Sequence, residues 1–401
     1  MSAADVFDAA SMGVFDADNH YYEALDSFTR HLDPRLGPRT VMWSEVGGRR
    51  YHLVGGQLST VVSNPTFDPI AKPGALYGYF RGNAEGKTIA EYLVEREPIR
   101  PEYRDRDARI AVMDEQGLDK VWLFPTLGVL YEELLKDDPW AVGQTFRAFN
   151  RWVHEDWGLS YRNRIFAGAY ISLADLDTAV SEIEWAIEND VRVACIRAAA
   201  PTTDTGQRSP SHQYFDPFWA RVNEAGITMI VHAGDGGYST NGYAPQKFKG
   251  DGTFDDGGKP SVKMFALERS VNDFLATLVF DKLFDRFPNL RFASVENGSS
   301  FVPGLLHGLS STAKKVPGWF REDPVETFKR HVWINPFWED DVESLVDVMG
   351  ADRIIFGSDW PHMEGLAQPL DYLDEVKGLT ESDQAKILRD NTEFLNTPQP
   401  A

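Results

Sequence analysis

The sequence predicts an α/β chain folded as a (β/α)8 (TIM) barrel, on three observations. Eight short runs rich in Val, Ile and Phe recur along the 401 residues, as buried parallel strands do. Helical patterns fill the spaces between them. Polar or ionisable residues stand at the C-terminal ends of six runs: His20, Arg197, His232, Glu296, Asn335 and Asp359. A barrel brings every strand end to one mouth, whereas a doubly wound sheet gathers them only at its switch point.

The elements follow in order. In the first run, "VFDADNH" (14–20), Asp16, Asp18 and His20 alternate and so share one face of a strand. Buried there, each would be costly unless paired or bound to something. Residues 24–108 form a long insertion with aromatic stretches such as "ALYGYFRG", read as a cap over the mouth. The second and third runs are "KVWLFPT" (120–126) and "IFAGAYI" (165–171). Leu176, Ala179, Val180, Ile183, Ala186 and Ile187 then keep the spacing of one helix face. The fourth run is "VACIRA" (193–198), and the helix after it stops at Gly226, suited to a left-handed cap. The fifth run, "TMIVHAG" (228–234), leads into residues 234–260. Eight glycines between Gly234 and Gly258 make that stretch a candidate lid. "FASVENG" (292–298), "VWINPF" (332–337) and "IIFGSDW" (354–360) complete the set, and the tail "NTPQPA" reads as a frayed end. With no internal repeat, residues 1–401 read as a single barrel domain.

Composition narrows the partners. The 61 acidic and 40 basic residues leave a formal charge of −21, which repels nucleic acid and anionic membrane surfaces. No apolar stretch approaches the ~20 residues of a membrane span. The single cysteine, Cys195, reads as a small hydrophobe in a strand and excludes an internal disulfide or a thiolate cluster. The first residues lack a basic and apolar leader, so the expectation is a cytoplasmic protein acting on a small molecule. The expected assembly is a homo-oligomer, or a hetero-oligomer with a paralogous barrel chain.

Asp18, His20, His232 and Asp359 bring two carboxylates and two imidazoles to three strand ends. That donor set suits one divalent ion, with Zn first and Mn or Fe as alternatives. His31, His52, His154, His212, His307 and His331 have no comparable placement.

Taken together, these segments resemble the amidohydrolase superfamily, and within it the amidohydrolase-2 branch of aromatic-acid decarboxylases and related hydrolases. The resemblance runs from Val14 to about Leu395. It rests on Asp16 followed by the Asp18-x-His20 pair, on "IVHAG" around His232, and on "RIIFGSDWPHMEG" around Asp359. It implies that Asp18, His20, His232 and Asp359 are metal ligands and that Asp359 also serves as general acid or base. Asp16 would orient His20 or a neighbouring backbone group. Three departures stand out. The ligand pair is Asp-x-His where many members have His-x-His, Glu296 ends the sixth run where a histidine is usual, and Arg197 stands where some members carry a metal-bridging lysine. Glu296 is therefore a candidate for proton transfer or for reaching a second ion. His362 is a candidate proton shuttle or part of a second metal site. Arg197 and Asn335 are candidates to hold substrate.

The leading expectation is a metal-dependent hydrolase or non-oxidative decarboxylase of a small organic acid, aromatic acids included. The alternatives are a mono- or dinuclear Fe/Mn oxygenase on the same fold, and a metal-bearing, non-catalytic partner of an active paralogue.

Overall fold

Val14–Tyr21 form the first strand, and all eight residues are buried, as in a strand covered on both faces. It runs parallel to Leu118–Pro125, which runs parallel to Ile165–Ala167. A second parallel series follows the order Ala169–Tyr170, Val193–Arg197, Thr228–His232, Arg291–Val295 and Val332–Ile334. The structure, a computed structural model, describes residues 13–59, 61–62, 64–238 and 262–401.

Two expected strands are interrupted. The third run breaks at Gly168, whose N–H donates to the Leu123 carbonyl at 2.9 Å. Its halves therefore pair with different neighbours, Ile165–Ala167 with the second strand and Ala169–Tyr170 with the fourth. The eighth run, 354–360, is no continuous strand. Ser358 is turned toward Asp16, and Asp359 adopts a left-handed backbone at φ 57°. The run is still pinned on both sides. The Ile355 N–H donates to Ile334 O at 3.0 Å, the Ala17 N–H to Phe356 O at 2.8 Å, and the His20 N–H to Trp360 O at 2.8 Å. The parallel pairings thus join end to end in a closed circuit.

The helices begin where short acceptors stop the chain. Asp105, Asp138, Asp175 and Asp341 each accept a hydrogen bond from an N–H in the first turn of the helix that follows. The helix Leu176–Glu188 buries Ala179, Ile183 and Ala186 of the expected face. The helix Asp216–Ala225 ends at Gly226, left-handed at φ 62° as expected. A Cβ there would also strike the Gln399 carbonyl. The tail is not frayed: the Gln399 N–H donates to Gly226 O at 2.8 Å and the Ala401 N–H to Glu224 O at 3.2 Å. Docking is favoured because these bonds continue the chain past a helix end whose groups need partners.

In the 24–108 insertion, Val41–Val46 and Arg49–Val54 form an antiparallel hairpin, turned by Gly47 and Gly48 at φ 61° and 76°. A small apolar cluster of Ala71, Leu76 and Leu93 packs with Met363. The Gly74 N–H bonds the His362 carbonyl at 3.0 Å and the Leu76 N–H bonds that of Met363 at 2.8 Å. The insertion therefore lies against the loop after the eighth run. Most of the expected lid, 239–260, lies outside the described residues. Among the described residues, no helix is long and apolar enough to cross a membrane.

Candidate metal centre

The period of two in the first strand sends Asp18 and His20 to one side, and both are buried. His232 ends the fifth strand in register with Arg197 and Val295 of its neighbours. Glu296 follows the sixth strand and Asp359 stands near the end of the eighth run, and each sits at φ 57°. A left-handed backbone costs a non-glycine residue about 1–2 kcal/mol. Here each such residue's N–H is anchored, from Glu296 to Asn335 Oδ1 at 3.3 Å and from Asp359 to Asp18 O at 2.8 Å.

The side chains converge. His20 Nε2 lies 3.2 Å from Asp18 Oδ1, 3.3 Å from Glu296 Oε2 and 3.5 Å from Asp359 Oδ1. His232 Nε2 lies 3.3 Å from Glu296 Oε2 and 3.6 Å from Asp18 Oδ1. Ligand atoms of Asp18, His20, His232 and Glu296 all fall within 4.8 Å of one another, as do those of His20, Glu296, Asp359 and His362. Yet Asp18 Oδ1, His20 Nε2, His232 Nε2, Asp359 Oδ1 and His362 Nδ1 are buried without a hydrogen bond.

The tautomers explain why. His232 Nδ1 lies 2.9 Å from the Ala233 carbonyl, which can only accept, so Nδ1 carries the proton and Nε2 presents its lone pair. Thr126 Oγ1 donates to Tyr21 O at 2.8 Å and must accept from His362 Nε2 at 2.9 Å, which leaves a lone pair on His362 Nδ1. That lone pair faces Asp359 Oδ1 at 2.6 Å. Buried lone pairs aimed at one another fit a cation, and the mix of imidazole and carboxylate fits a divalent transition metal. The electrostatics agree. Against its burial, the Asp18 and Glu296 carboxylates hold His20 up at about 10. Burial, and then the charge of Glu296, push Asp359 well above its ordinary range.

A family model described as Amidohydrolase matches residues 69–395. The chain belongs to this amidohydrolase family. Amidohydrolase map2389c of Mycobacterium avium subsp. paratuberculosis K-10 is 41% identical, with 96% of this chain and 99% of that one covered and a TM-score of 0.89. Gamma-resorcylate decarboxylase of Polaromonas sp. strain JS666 is 23% identical over 317 residues, which are 74% of this chain and 90% of that protein. A dihydroxybenzoic acid decarboxylase of Polaromonas sp. JS666, solved with manganese and the inhibitor 2-nitroresorcinol, shares the fold at a TM-score of 0.58. It is 18% identical, and the match covers 79% of this chain and 92% of that one.

The other sequence candidates of this amidohydrolase-type enzyme have partners of their own. Arg197 is buried, with Nη1 2.7 Å from Glu133 Oε2, Nε 3.4 Å from Glu132 Oε1, and a bond from Nη1 to Asp235 O at 2.8 Å. Asn335 is turned to backbone, accepting from the Glu296 N–H and donating to Pro336 O at 3.1 Å. The buried Asp16 accepts from the Asp18 N–H at 3.1 Å, Asn19 Nδ2 at 2.9 Å, the Ser358 N–H at 2.9 Å and Ser358 Oγ at 2.6 Å. It thereby joins the first strand to the eighth run. Sequence reasoning missed Arg109 and Thr126. Arg109 is fully buried and donates to Asn19 Oδ1 at 2.5 Å, His20 O at 2.7 Å and Glu102 O at 2.8 Å. Its signal was an arginine one helical turn before the buried Met113, on the apolar face of Arg106–Gln116.

Proposed function

We propose that this enzyme is a metal-dependent, non-oxidative decarboxylase of a small aromatic acid, with one divalent ion held by Asp18, His20, His232 and Glu296. The convergence of these four donors, with those of Asp18, His20 and His232 buried and free of hydrogen bonds, carries the reading, and the names of the decarboxylase relatives support the reaction class. Mn(II) suits the carboxylates as well as Zn suits the imidazoles. We read the closed circuit of parallel pairings as a (β/α)8 barrel, all in one domain, and the 24–108 insertion as its cap.

A bound divalent ion supplies a Lewis acid that neutralises and orients an anionic substrate. His20 and His232 each bring Nε2 to 3.3 Å from Glu296 Oε2, and the bond from His232 Nδ1 to Ala233 O keeps the His232 lone pair inward. Asp359, beside this group, delivers a proton to the ring carbon that bears the carboxylate. The C–C bond then breaks, its electron pair returns to the ring, and the carboxylate leaves as CO2. The insertion, packed on residues 362 and 363, keeps water from the reacting carbon.

The test is turnover of hydroxylated benzoates by Mn-loaded protein in 18O water, with CO2 and product isotope both measured. The expected result is CO2 release without 18O in the organic product. Asp359→Asn should keep its metal and slow turnover by about two to four orders of magnitude. Incorporation of 18O into the product, or an Asp359→Asn variant as fast as wild type, would sink the proposal.

A further inference from the structure

Arg109 stands on the helix Arg106–Gln116 with no exposed surface, and each arm of its guanidinium holds a neutral oxygen. Nε donates to Glu102 O at 2.8 Å, Nη1 to Asn19 Oδ1 at 2.5 Å and Nη2 to His20 O at 2.7 Å. The Trp157 and Trp360 rings lie against it, with centroids 5.5 and 4.6 Å from Cζ. No carboxylate among the described residues forms an ion pair with it. Its link to one runs through Asn19, whose Nδ2 donates to Asp16 Oδ2 at 2.9 Å.

Packing alone gives no reason for a guanidinium there. Burial pulls Arg109 from 12.5 down to about 9. An apolar side chain one turn before Met113 would fill the space without burying a charge.

The bond to His20 O supplies the reason. His232 is oriented through its second nitrogen, with Nδ1 2.9 Å from Ala233 O, as metal-binding histidines generally are. His20 is not. Its Nδ1 is buried and has no hydrogen-bond partner among the described residues. The His20 ring is therefore placed by its stack on His362, with centroids 4.0 Å apart, and by the backbone that carries it. That backbone is held on both sides. The N–H donates to Trp360 O at 2.8 Å, and the carbonyl accepts from Arg109 Nη2. Because the Trp360 ring also lies against Arg109, one guanidinium braces both holds.

We propose that Arg109 is a positioning residue of the metal centre, fixing the His20 backbone and through it the His20 imidazole in place of the missing Nδ1 bond. The proposal rests on the ion assigned above. It requires the fork and not the charge. A lysine carries the same charge, but its ammonium is a point donor on a flexible stem and cannot hold three separate oxygens as a fork does.

The experiment is Mn(II) titration of chelator-stripped full-length protein, with pulsed EPR of the bound ion and urea unfolding of the metal-free protein. Wild type should bind Mn(II) with two coupled imidazole nitrogens. Arg109→Lys, and Arg109→Met as a neutral side chain of similar reach, should each lose about 10–100-fold in Mn(II) affinity. In both, one nitrogen coupling should weaken while the other is unchanged, since His232 keeps its own Nδ1 bond. Whichever of the two variants folds carries the test. A variant that is less stable yet binds Mn(II) with wild-type affinity and both couplings intact would overturn the proposal, leaving Arg109 a packing residue. Loss of both couplings together, or affinity lost with neither changed, would overturn action through His20. Wild type that binds no Mn(II) would overturn the ion's assignment, and this proposal with it.

Discussion

Asp16 should be a main support of the centre although its side chain accepts only from protein donors. Asp16→Ala removes the acceptor for four donors at once, the Asp18 and Ser358 N–H groups, Asn19 Nδ2 and Ser358 Oγ. The Ser358 hydroxyl can rotate away, but the other three cannot. Two are backbone groups, and the Asn19 amide is held by Arg109 through its oxygen. A stranded buried donor costs about 1–3 kcal/mol. One gain offsets this. Burial raises Asp16 from 3.8 to about 6 despite its four bonds, so relieving the charge at neutral pH returns about 3 kcal/mol. The net expectation for chelator-stripped protein is a loss of about 3 kcal/mol at pH 7.5, read by urea unfolding, with Mn(II) affinity down about 10–100-fold. Asp16→Asn keeps the oxygen that both backbone groups share and should lose about 1 kcal/mol. Because the folded-state pKa is raised, the wild-type contribution is fully present below pH 3.8 and is lost as pH rises through 6. The Asn variant's deficit should therefore grow as pH is lowered from 7.5 toward 5. An Asp16→Ala protein as stable as wild type, with unchanged Mn(II) affinity, would refute this account.

Two further outcomes follow from the geometry. His52 is buried under Trp43 and bonded to Tyr131 OH at 2.8 Å, and burial lowers it from 6.5 to about 4. Its contribution to stability is present above pH 6.5 and is lost as pH falls toward 4, by up to about 3 kcal/mol. His52→Gln should reduce that loss relative to wild type in urea unfolding between pH 7 and 5. A slope unchanged from wild type would exclude His52 as its source. Gly357→Ala would place a Cβ 2.4 Å from Asp18 Cβ and 2.8 Å from Asn335 Nδ2. Mn(II) affinity should fall at least tenfold, whereas Gly304→Ala, with open space around it, should bind as wild type does. Equal affinities in the two variants would show that the first strand is not positioned as described.

Much of the centre was legible because its signals are local. Alternation on one strand is enough to pair Asp18 with His20, and a strand-end position is enough to bring in His232 and Asp359. Glu296 was legible as a candidate, but not its place between His20 and His232, which depends on a left-handed backbone that "SVENGSS" does not announce. Thr126 and His362 are 236 residues apart, and Arg109 and Asn19 are 90 apart, so their bonds exist only once the strands assemble. Gly168 and the docked tail were missed for a similar reason. A single glycine inside an apolar run, or a polar tail, reads as ordinary until its backbone partner is known.

The two strained carboxylates suggest why the centre sits here. Glu296 and Asp359 each leave an extended run in a conformation that favours glycine, and each is held there by a neighbour's oxygen. Folding thus brings the buried carboxylates of Asp18 and Asp359 together with the part-buried Glu296, with left-handed backbone at two of the three, at a cost of about 1–2 kcal/mol for each strained residue. Within the chain the repulsion is met only in part, by His20, whose Nε2 lies 3.2 Å from Asp18 Oδ1, 3.3 Å from Glu296 Oε2 and 3.5 Å from Asp359 Oδ1. Cation binding relieves the repulsion directly and offsets the strain indirectly, because it occurs only in the folded arrangement. The same strain also serves selectivity. Donors held by a rigid backbone cannot rearrange toward the higher coordination numbers that calcium takes, so they favour a smaller transition-metal ion.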